Sequence, residues 1–396
     1  MNKRIFRFWA FEPMLLLFLI LWSGGMFSYG IFPSWMLVSI PIIGYVFLKR
    51  KCTFKGPDFA ISFLLFTILV VQFLRFQGSI VTIIRPMATI VVCMMSAHIL
   101  RKQFTRLFLS IMVLLSVISL ILWTIALVPS GYGALLGIAK SLPQLGVENF
   151  WEIHKSQYAY TLYFITLLTN APDILRNTGP FWEPGRFTIF INIALAINLL
   201  HNKERITSLR NLILILTNIT TFSTTGYVAM SLIVAVYVIF ARLNVFSKIT
   251  LFILLILVSC SVWQLDFMSE KIMEEASETD VAHSRFGALF YHFSQIIRSP
   301  WIGYGPYIVA NFGELETSPN GLTDLLRYYG IPVSLLLYIL LYRGTYVYIG
   351  GDKIIFNLAV FVAILLLCFS QTITYSPFFY LLYFIGLNGD NNAIKN

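Results

Sequence analysis

The residues best suited to chemistry in this chain are arginines in or beside two long polar segments, at about 129–184 and 267–320. An arginine binds phosphate oxygens through two parallel hydrogen bonds, so several of them together favour a phosphate-bearing substrate. The alternative is that each arginine pairs with a carboxylate of its own segment. The candidates are Arg176, Arg186, Arg285, Arg298 and Arg327.

The most distinctive segment is NTGPFWEPGRF at residues 177–187, where glycines and prolines predict a rigid turn before an apolar helix. Glu183 and Arg186 lie three residues apart at the predicted membrane boundary, and charges at that depth usually mark a site or a pair. Both are candidate catalytic residues. The open alternative is a structural pair in which Glu183 caps the helix start.

Two further motifs place charged groups on helix faces. In HSRFGALFYHFSQIIR, at 283–298, Arg285 and His292 are seven residues apart and share a face with Gln295, which suits an anionic sugar phosphate. An interfacial helix lying on lipid headgroups has the same pattern. In TSPNGLTDLLRYYG, at 317–330, Asp324 and Arg327 lie one turn apart, and a local ion pair is the alternative to a binding role.

The elements that position these residues are predicted to be transmembrane helices. The chain is 58% hydrophobic and 12% charged, with a mean hydropathy of +0.79, which indicates a bilayer as the solvent. Because about 20 apolar residues cross the hydrocarbon, about twelve spans are predicted. They lie at 13–30, 31–48, 58–76, 79–99, 106–128, 185–201, 210–223, 225–241, 248–266, 321–342, 354–371 and 374–388.

The charge pattern predicts an orientation. Although the net charge is +10, the basic residues cluster between spans, which favours the positive-inside rule over a nucleic-acid surface. Both termini are then cytoplasmic and both long loops, at 129–184 and 267–320, are extracytoplasmic. The fold class is an all-α transmembrane bundle, a single domain over 1–396, with short helices in the loops. The stretch 158–169 is too short to span and is predicted to lie in the interface or to re-enter.

No metal or cofactor site is predicted. The four cysteines lie outside the long loops, and the loops have no DxD motif or metal-ligand cluster. Walker and Rossmann glycine patterns and a Ser–His–Asp arrangement are also missing from the sequence.

Taken together, these motifs resemble those of the bacterial O-antigen polymerase (Wzy-type) and O-antigen ligase-like superfamily. The resemblance covers most of the chain in topology, and the motifs follow the family's order: GPFWEPGRF, TFSTTGY, SRFG with SPWIGYG, and SPNGL followed by YYGIP. It implies that Arg186 and Arg285 contact substrate. Ligases typically have a His-Asn pair where this chain has Pro319 and Asn320, and this departure favours a polymerase.

The resemblance implies an undecaprenyl-pyrophosphate-linked oligosaccharide as substrate, joined at the outer face of the bacterial cytoplasmic membrane. Arg186 and Arg285 are expected to stabilise the charge on the leaving phosphates, and the chemistry of the reaction makes Glu183 the candidate carboxylate that deprotonates the acceptor or stabilises the positive charge on the donor sugar. These three are the predicted catalytic residues. The predicted substrate-binding residues are Arg176, His292, Arg298, Asn320 and Arg327. The donor is already activated, so no nucleotide or other cofactor is expected. A membrane protein that regulates chain length is a further candidate partner. An O-antigen ligase and a lipid-linked oligosaccharide flippase remain the alternatives.

Overall fold

The computed structural model describes residues 10–24, 35–142, 159–169, 171–240, 285–308, 320–350 and 353–388. Its regular structure is mostly α-helical. The helices are α1 (Phe11–Trp22), α2 (Trp35–Lys49), α3 (Gly56–Phe76), α4 (Ile80–Leu100), α5 (Phe104–Ala126), α6 (Pro129–Ser141), α7 (Pro184–Ala196), α8 (Leu209–Thr220), α9 (Thr224–Phe240), α10 (Arg285–Arg298), α11 (Gly321–Tyr329), α12 (Ile331–Tyr348), α13 (Ile354–Phe369) and α14 (Pro377–Leu387). A π-helical turn, Ile197–His201, extends α7, and a 3₁₀ turn, Gly305–Tyr307, follows α10.

Four of these helices, α3, α4, α5 and α12, are long and apolar enough to cross a membrane. The shorter apolar helices are α1, α2, α8, α9, α13 and α14. This is the architecture of an all-α membrane protein. Within the described residues, each predicted span contains a helix. The predicted span 248–266 lies outside the described residues, and the predicted spans 13–30 and 31–48 are described only in part.

The predicted start of the tenth span, 321–342, is wrong, because the structure divides this range into α11 and α12. Gly330 ends α11 with a φ of +75°, a left-handed conformation that favours glycine. A Cβ at Gly330 would lie 2.5 Å from the carbonyl carbon of Trp301. Pro332 then lies in the first turn of α12. The candidate span therefore begins at Ile331, and α11 is a separate short helix ahead of it.

The first predicted loop contains a helix, α6, and also a β-hairpin that the all-α prediction lacks. Strands β1 (Ala159–Thr161) and β2 (Thr166–Leu168) pair antiparallel within the stretch predicted as interfacial or re-entrant. The Tyr132 hydroxyl of α6 donates to the carbonyl of Leu168 at 2.8 Å and accepts from its N–H at 3.0 Å. The hairpin is therefore fixed against α6.

Helix α7 is enclosed by other helices of the bundle. Every side chain from 185 to 196 is buried, and α7 packs against α5, α8, α9 and α13. A helix that is apolar on all sides is stable only when other helices surround it. The first turn of α7 carries Arg186, so the fold buries this cation at one end of the bundle.

That end, which we call the loop-rich end, is formed by residues 76–80, 220–224, 299–308, 320–330 and 370–376. Side-chain hydrogen bonds connect these segments. Gln72 of α3 donates to the carbonyls of Ile302 at 2.5 Å and Tyr328 at 2.7 Å, and Arg75 donates to the Ser299 hydroxyl at 3.1 Å. The segment after α10 is thereby held between α3 and α11.

The opposite end is closed by a buried polar cluster around Asp58 at the start of α3. Its carboxylate accepts from the Lys55 N–H at 2.7 Å and from the Asn388 amide at 2.5 Å, and it lies 2.9 Å from Nε2 of His98. A buried carboxylate is stable only with such partners. The cluster joins α3, α4 and the end of α14.

Candidate functional site

Arg186 is held in the first turn of α7 with 8% of its surface exposed. Its guanidinium lies 4.5 Å from the ring centroid of Trp182, a cation–π contact. Its Nε donates to Oε1 of Gln371 at 3.3 Å and its Nη2 to the carbonyl of Thr372 at 3.5 Å. These two acceptors are neutral, so the two hydrogen bonds orient the guanidinium without being ion pairs. The Trp182 ring therefore helps to position the Arg186 guanidinium.

Glu183 occupies the N-cap position of α7. Its carbonyl accepts from the N–H groups of Arg186 at 3.1 Å and Phe187 at 3.4 Å, while its half-buried carboxylate forms no capping hydrogen bond. The structure therefore excludes the alternative in which the Glu183 carboxylate caps the helix.

The segment that organises the site is the turn between α13 and α14, residues 370–376, which we call the 370–376 turn. Besides Gln371 and Thr372, which hold Arg186, its Ser370 hydroxyl lies 2.9 Å from the Thr225 hydroxyl of α9. Its Thr374 hydroxyl donates to the carbonyl of Gly321 at 2.8 Å. The turn therefore joins α7, α9 and α11 at the loop-rich end.

Asp324 of α11 contacts this turn directly. Only 3% of its surface is exposed, and its Oδ2 accepts from the Thr372 hydroxyl at 2.9 Å. Its Oδ1 lies 3.3 Å from Nη2 of Arg327, which is 2% exposed, so the predicted local ion pair is present. Thr372 consequently contacts Arg186 through its carbonyl and Asp324 through its hydroxyl.

His292 of α10 completes the group. The imidazole is fully buried, its Nδ1 lies 2.6 Å from the Thr323 hydroxyl, and its Nε2 lies 3.9 Å from Oδ1 of Asp324. The face shared by His292 and Gln295 is therefore buried against α11, not laid on headgroups. Arg285 begins α10, but its side chain lies outside the described residues.

The electrostatics of this group follow from its burial. Helices α10 and α11 lie outside the candidate membrane spans. Burial, together with the nearby charge of Arg327, lowers the pKa of His292 to about 3, so its imidazole is neutral at pH 7. Burial raises the pKa of Asp324 to about 6, although Arg327 and the Thr372 hydroxyl oppose the shift. Asp324 is thus a carboxylate that can exchange a proton near neutral pH.

The remaining predicted site residues lie around this centre. Arg176 donates from Nε to the carbonyl of Thr221 at 3.2 Å. Arg298 is exposed at the end of α10. Asn320 is buried and caps α11, where its side-chain oxygen accepts from the Thr323 N–H at 3.3 Å. The structure therefore brings Arg186, Asp324, Arg327 and His292 together through direct contacts and through Thr372.

Sequence reasoning missed Gln371 and Thr372 and treated Asp324 only as a partner for Arg327. The available signal was a short polar interruption, SQT at 370–372, between two strongly apolar helices. Such an interruption is also typical of an ordinary turn, so the sequence does not indicate which residues contact it.

No family model, curated protein or solved structure matches the chain at a significant level. The functional interpretation therefore depends on the chain's own residues and their arrangement.

Proposed function

We propose that this protein polymerises undecaprenyl-pyrophosphate-linked oligosaccharide repeat units at the outer face of a bacterial cytoplasmic membrane. The observation that carries the proposal is the meeting of a buried guanidinium, Arg186, with a buried carboxylate, Asp324, through Thr372 at the loop-rich end. Such a pair of groups suits glycosyl transfer from a lipid pyrophosphate, because the reaction needs a cation for the leaving group and a base for the acceptor.

The proposal includes the topology predicted from charge. Twelve spans, with both termini in the cytoplasm, put the loop-rich end outside, where lipid-linked units are joined after export. The bilayer holds both lipid substrates beside this end. This orientation is testable by labelling single cysteines introduced at the two ends, because only those at the loop-rich end should react with an impermeant reagent in intact cells.

In the proposed reaction, a hydroxyl of the acceptor unit attacks the anomeric carbon of the donor chain and the lipid pyrophosphate departs. Negative charge grows on the departing phosphates, so a fixed guanidinium stabilises the transition state more than the ground state. Arg186 has this role, with Arg285 as its predicted partner. The cations Arg176, Arg298 and Arg327 are weaker candidates for holding the substrates.

Other predicted residues have supporting roles. To Glu183, the N-cap residue of α7, we assign stabilisation of the positive charge that develops on the donor sugar. Asn320 and His292 act through α11, which Asn320 caps and His292 contacts. A nucleotide is not required in this reaction, because the lipid pyrophosphate supplies the leaving group.

The test of this function is the surface-glycan ladder of a strain that lacks the gene, compared on a gel with the same strain after the gene is restored. We expect the deletion to leave lipid A-core with a single repeat unit and the restored gene to return the ladder. Loss of even the single unit would contradict polymerisation. Units accumulating outside would then indicate a ligase, and units accumulating inside would indicate a flippase.

A further inference from the structure

Two buried polar atoms face each other across a short gap beside the Arg327 guanidinium. Oδ1 of Asp324 and Nε2 of His292 are 3.9 Å apart. Apart from the ion-pair contact of Oδ1 with Nη2 of Arg327 at 3.3 Å, neither atom has a hydrogen-bond partner within the described part of the chain. Buried polar atoms are rarely left in this state unless a water or ligand completes them. The two atoms belong to different helices, α10 and α11, so the tertiary structure brings them together.

The 3.9 Å distance between the two atoms fits one bridging oxygen atom. A direct hydrogen bond at 3.9 Å is too long, but one oxygen can lie about 2.8 Å from both atoms. His292 is neutral, because its pKa is lowered, so the gap offers a carboxylate oxygen and an uncharged imidazole nitrogen. A hydroxyl group or a water suits these partners, whereas a second anion is repelled by the carboxylate.

We propose that Asp324 is the catalytic base, which accepts the proton of the acceptor-sugar hydroxyl bound between Asp324 and His292. This inference rests on the proposed polymerase function and deepens it by assigning the base. His292 and Thr372 are positioning residues: the first holds the hydroxyl oxygen in the gap, and the second holds the carboxylate.

The proposed reaction needs no further reactant, because the proton and the leaving group both have an acceptor. The hydroxyl proton passes to Oδ1 of Asp324, and the hydroxyl oxygen forms a bond to the anomeric carbon of the donor. The bond from that carbon to the phosphate oxygen breaks, and its electron pair leaves on the lipid pyrophosphate beside Arg186. The proton on Asp324 then returns to solvent before the next cycle.

Asp324 is better placed for this role than Glu183. Thr372 contacts both Asp324 and Arg186, so base and leaving-group cation are held in one geometry by one residue. Glu183 has its backbone in the helix start and its carboxylate half-buried at the turn. A base of raised pKa also takes up a proton more readily near pH 7.

The groups around Asp324 determine the expected pH dependence. They are His292 from α10, Arg327 from its own helix, Thr372 from the 370–376 turn and Tyr338 from α12. His292 stays neutral across the useful range because its pKa is about 3. Asp324 works as a base only when ionised, so activity should fall as the pH drops through about 6.

The experiment uses the purified full-length protein in detergent and lipid-linked repeat units extracted from the deletion strain, with chain elongation measured from pH 5 to pH 9. We expect Asp324→Asn to slow elongation by on the order of 100-fold above pH 7 and to remove the acid limb, so that the difference from the wild type narrows below pH 6. Asp173→Asn, at an exposed carboxylate outside the site, is the matched control and should keep both the rate and the acid limb of the wild-type profile. Wild-type turnover in folded Asp324→Asn would overturn the assignment of the base and leave the polymerase function intact.

Thr372→Val keeps the proposal testable if Asp324→Asn does not fold, because valine matches threonine in shape and leaves the ion pair with Arg327 in place. Without the Thr372 hydroxyl the ionised carboxylate loses a hydrogen bond, so its pKa rises and the acid limb should move to higher pH. Thr372→Ser should keep the wild-type profile. An acid limb that does not move in Thr372→Val would show that Asp324 has only a structural role. Failure of the wild-type protein to elongate these lipids would instead reject the polymerase function itself.

Discussion

Arg186→Ala is expected to reduce elongation by on the order of 1,000-fold, the upper range for loss of one group that stabilises a transition-state charge. The physical reason is that the guanidinium is buried and already oriented by Trp182, Gln371 and Thr372, so it needs no rearrangement as the pyrophosphate departs. The measurement is the elongation rate of purified protein, together with the surface ladder in the restored deletion strain.

Arg186→Lys separates charge from geometry. Lysine retains the positive charge but cannot present two parallel donors or stack its head group flat on Trp182, so we expect partial activity. Arg106→Ala is the matched control, because Arg106 is exposed at the start of α5 and its Nη2 bonds only locally, to Gln103 at 3.1 Å. Full activity in Arg186→Ala, at normal insertion and folding, would remove Arg186 from the site.

The second large effect concerns stability and comes from the contact between α12 and α14. A Cβ at Gly386 would collide with the backbone carbonyl of Leu340, and a Cβ at Gly344 would lie 2.8 Å from the carbonyl of Leu382. Small residues let apolar helices approach this closely in a bilayer. Gly386→Ala must therefore separate two backbones, at a cost of about 1–3 kcal/mol. The thermal unfolding temperature in detergent should fall by several degrees.

Gly137→Ala in α6 is the matched control for this prediction. The space around a Cβ at Gly137 is open to 4 Å, and alanine favours a helix over glycine by up to about 1 kcal/mol. This variant should be as stable as the wild type or slightly more stable. If Gly386→Ala and Gly137→Ala unfold at the same temperature as the wild type, the α12–α14 contact is not as close as described.

The sequence alone determined where the helices lie, because runs of apolar residues have few other stable structures in a bilayer. The helices α3, α4 and α5 match the predicted spans to within a few residues. The sequence also predicted Arg186 and the turn before it, since Gly179, Pro180 and Pro184 restrict the local backbone strongly. These features are set by residues adjacent in the chain.

Local patterns were less informative where an element depends on a distant contact. The break between α11 and α12 needs Gly330 to approach Trp301, 29 residues earlier in the numbering of the chain. The hairpin of β1 and β2 is held by Tyr132 of α6. In both places the chain itself permits a continuous helix or an irregular loop, and packing decides between the possibilities.

The composition of the candidate site was decided by tertiary structure alone. Arg186, Asp324 and Thr372 come from three separate parts of the chain, and nothing in their local spacing predicts a contact. They meet because α7 is buried on every side and the 370–376 turn crosses its first turn. The burial that brings them together also sets their chemistry, since removing water from Asp324 and His292 shifts both pKa values toward the neutral forms.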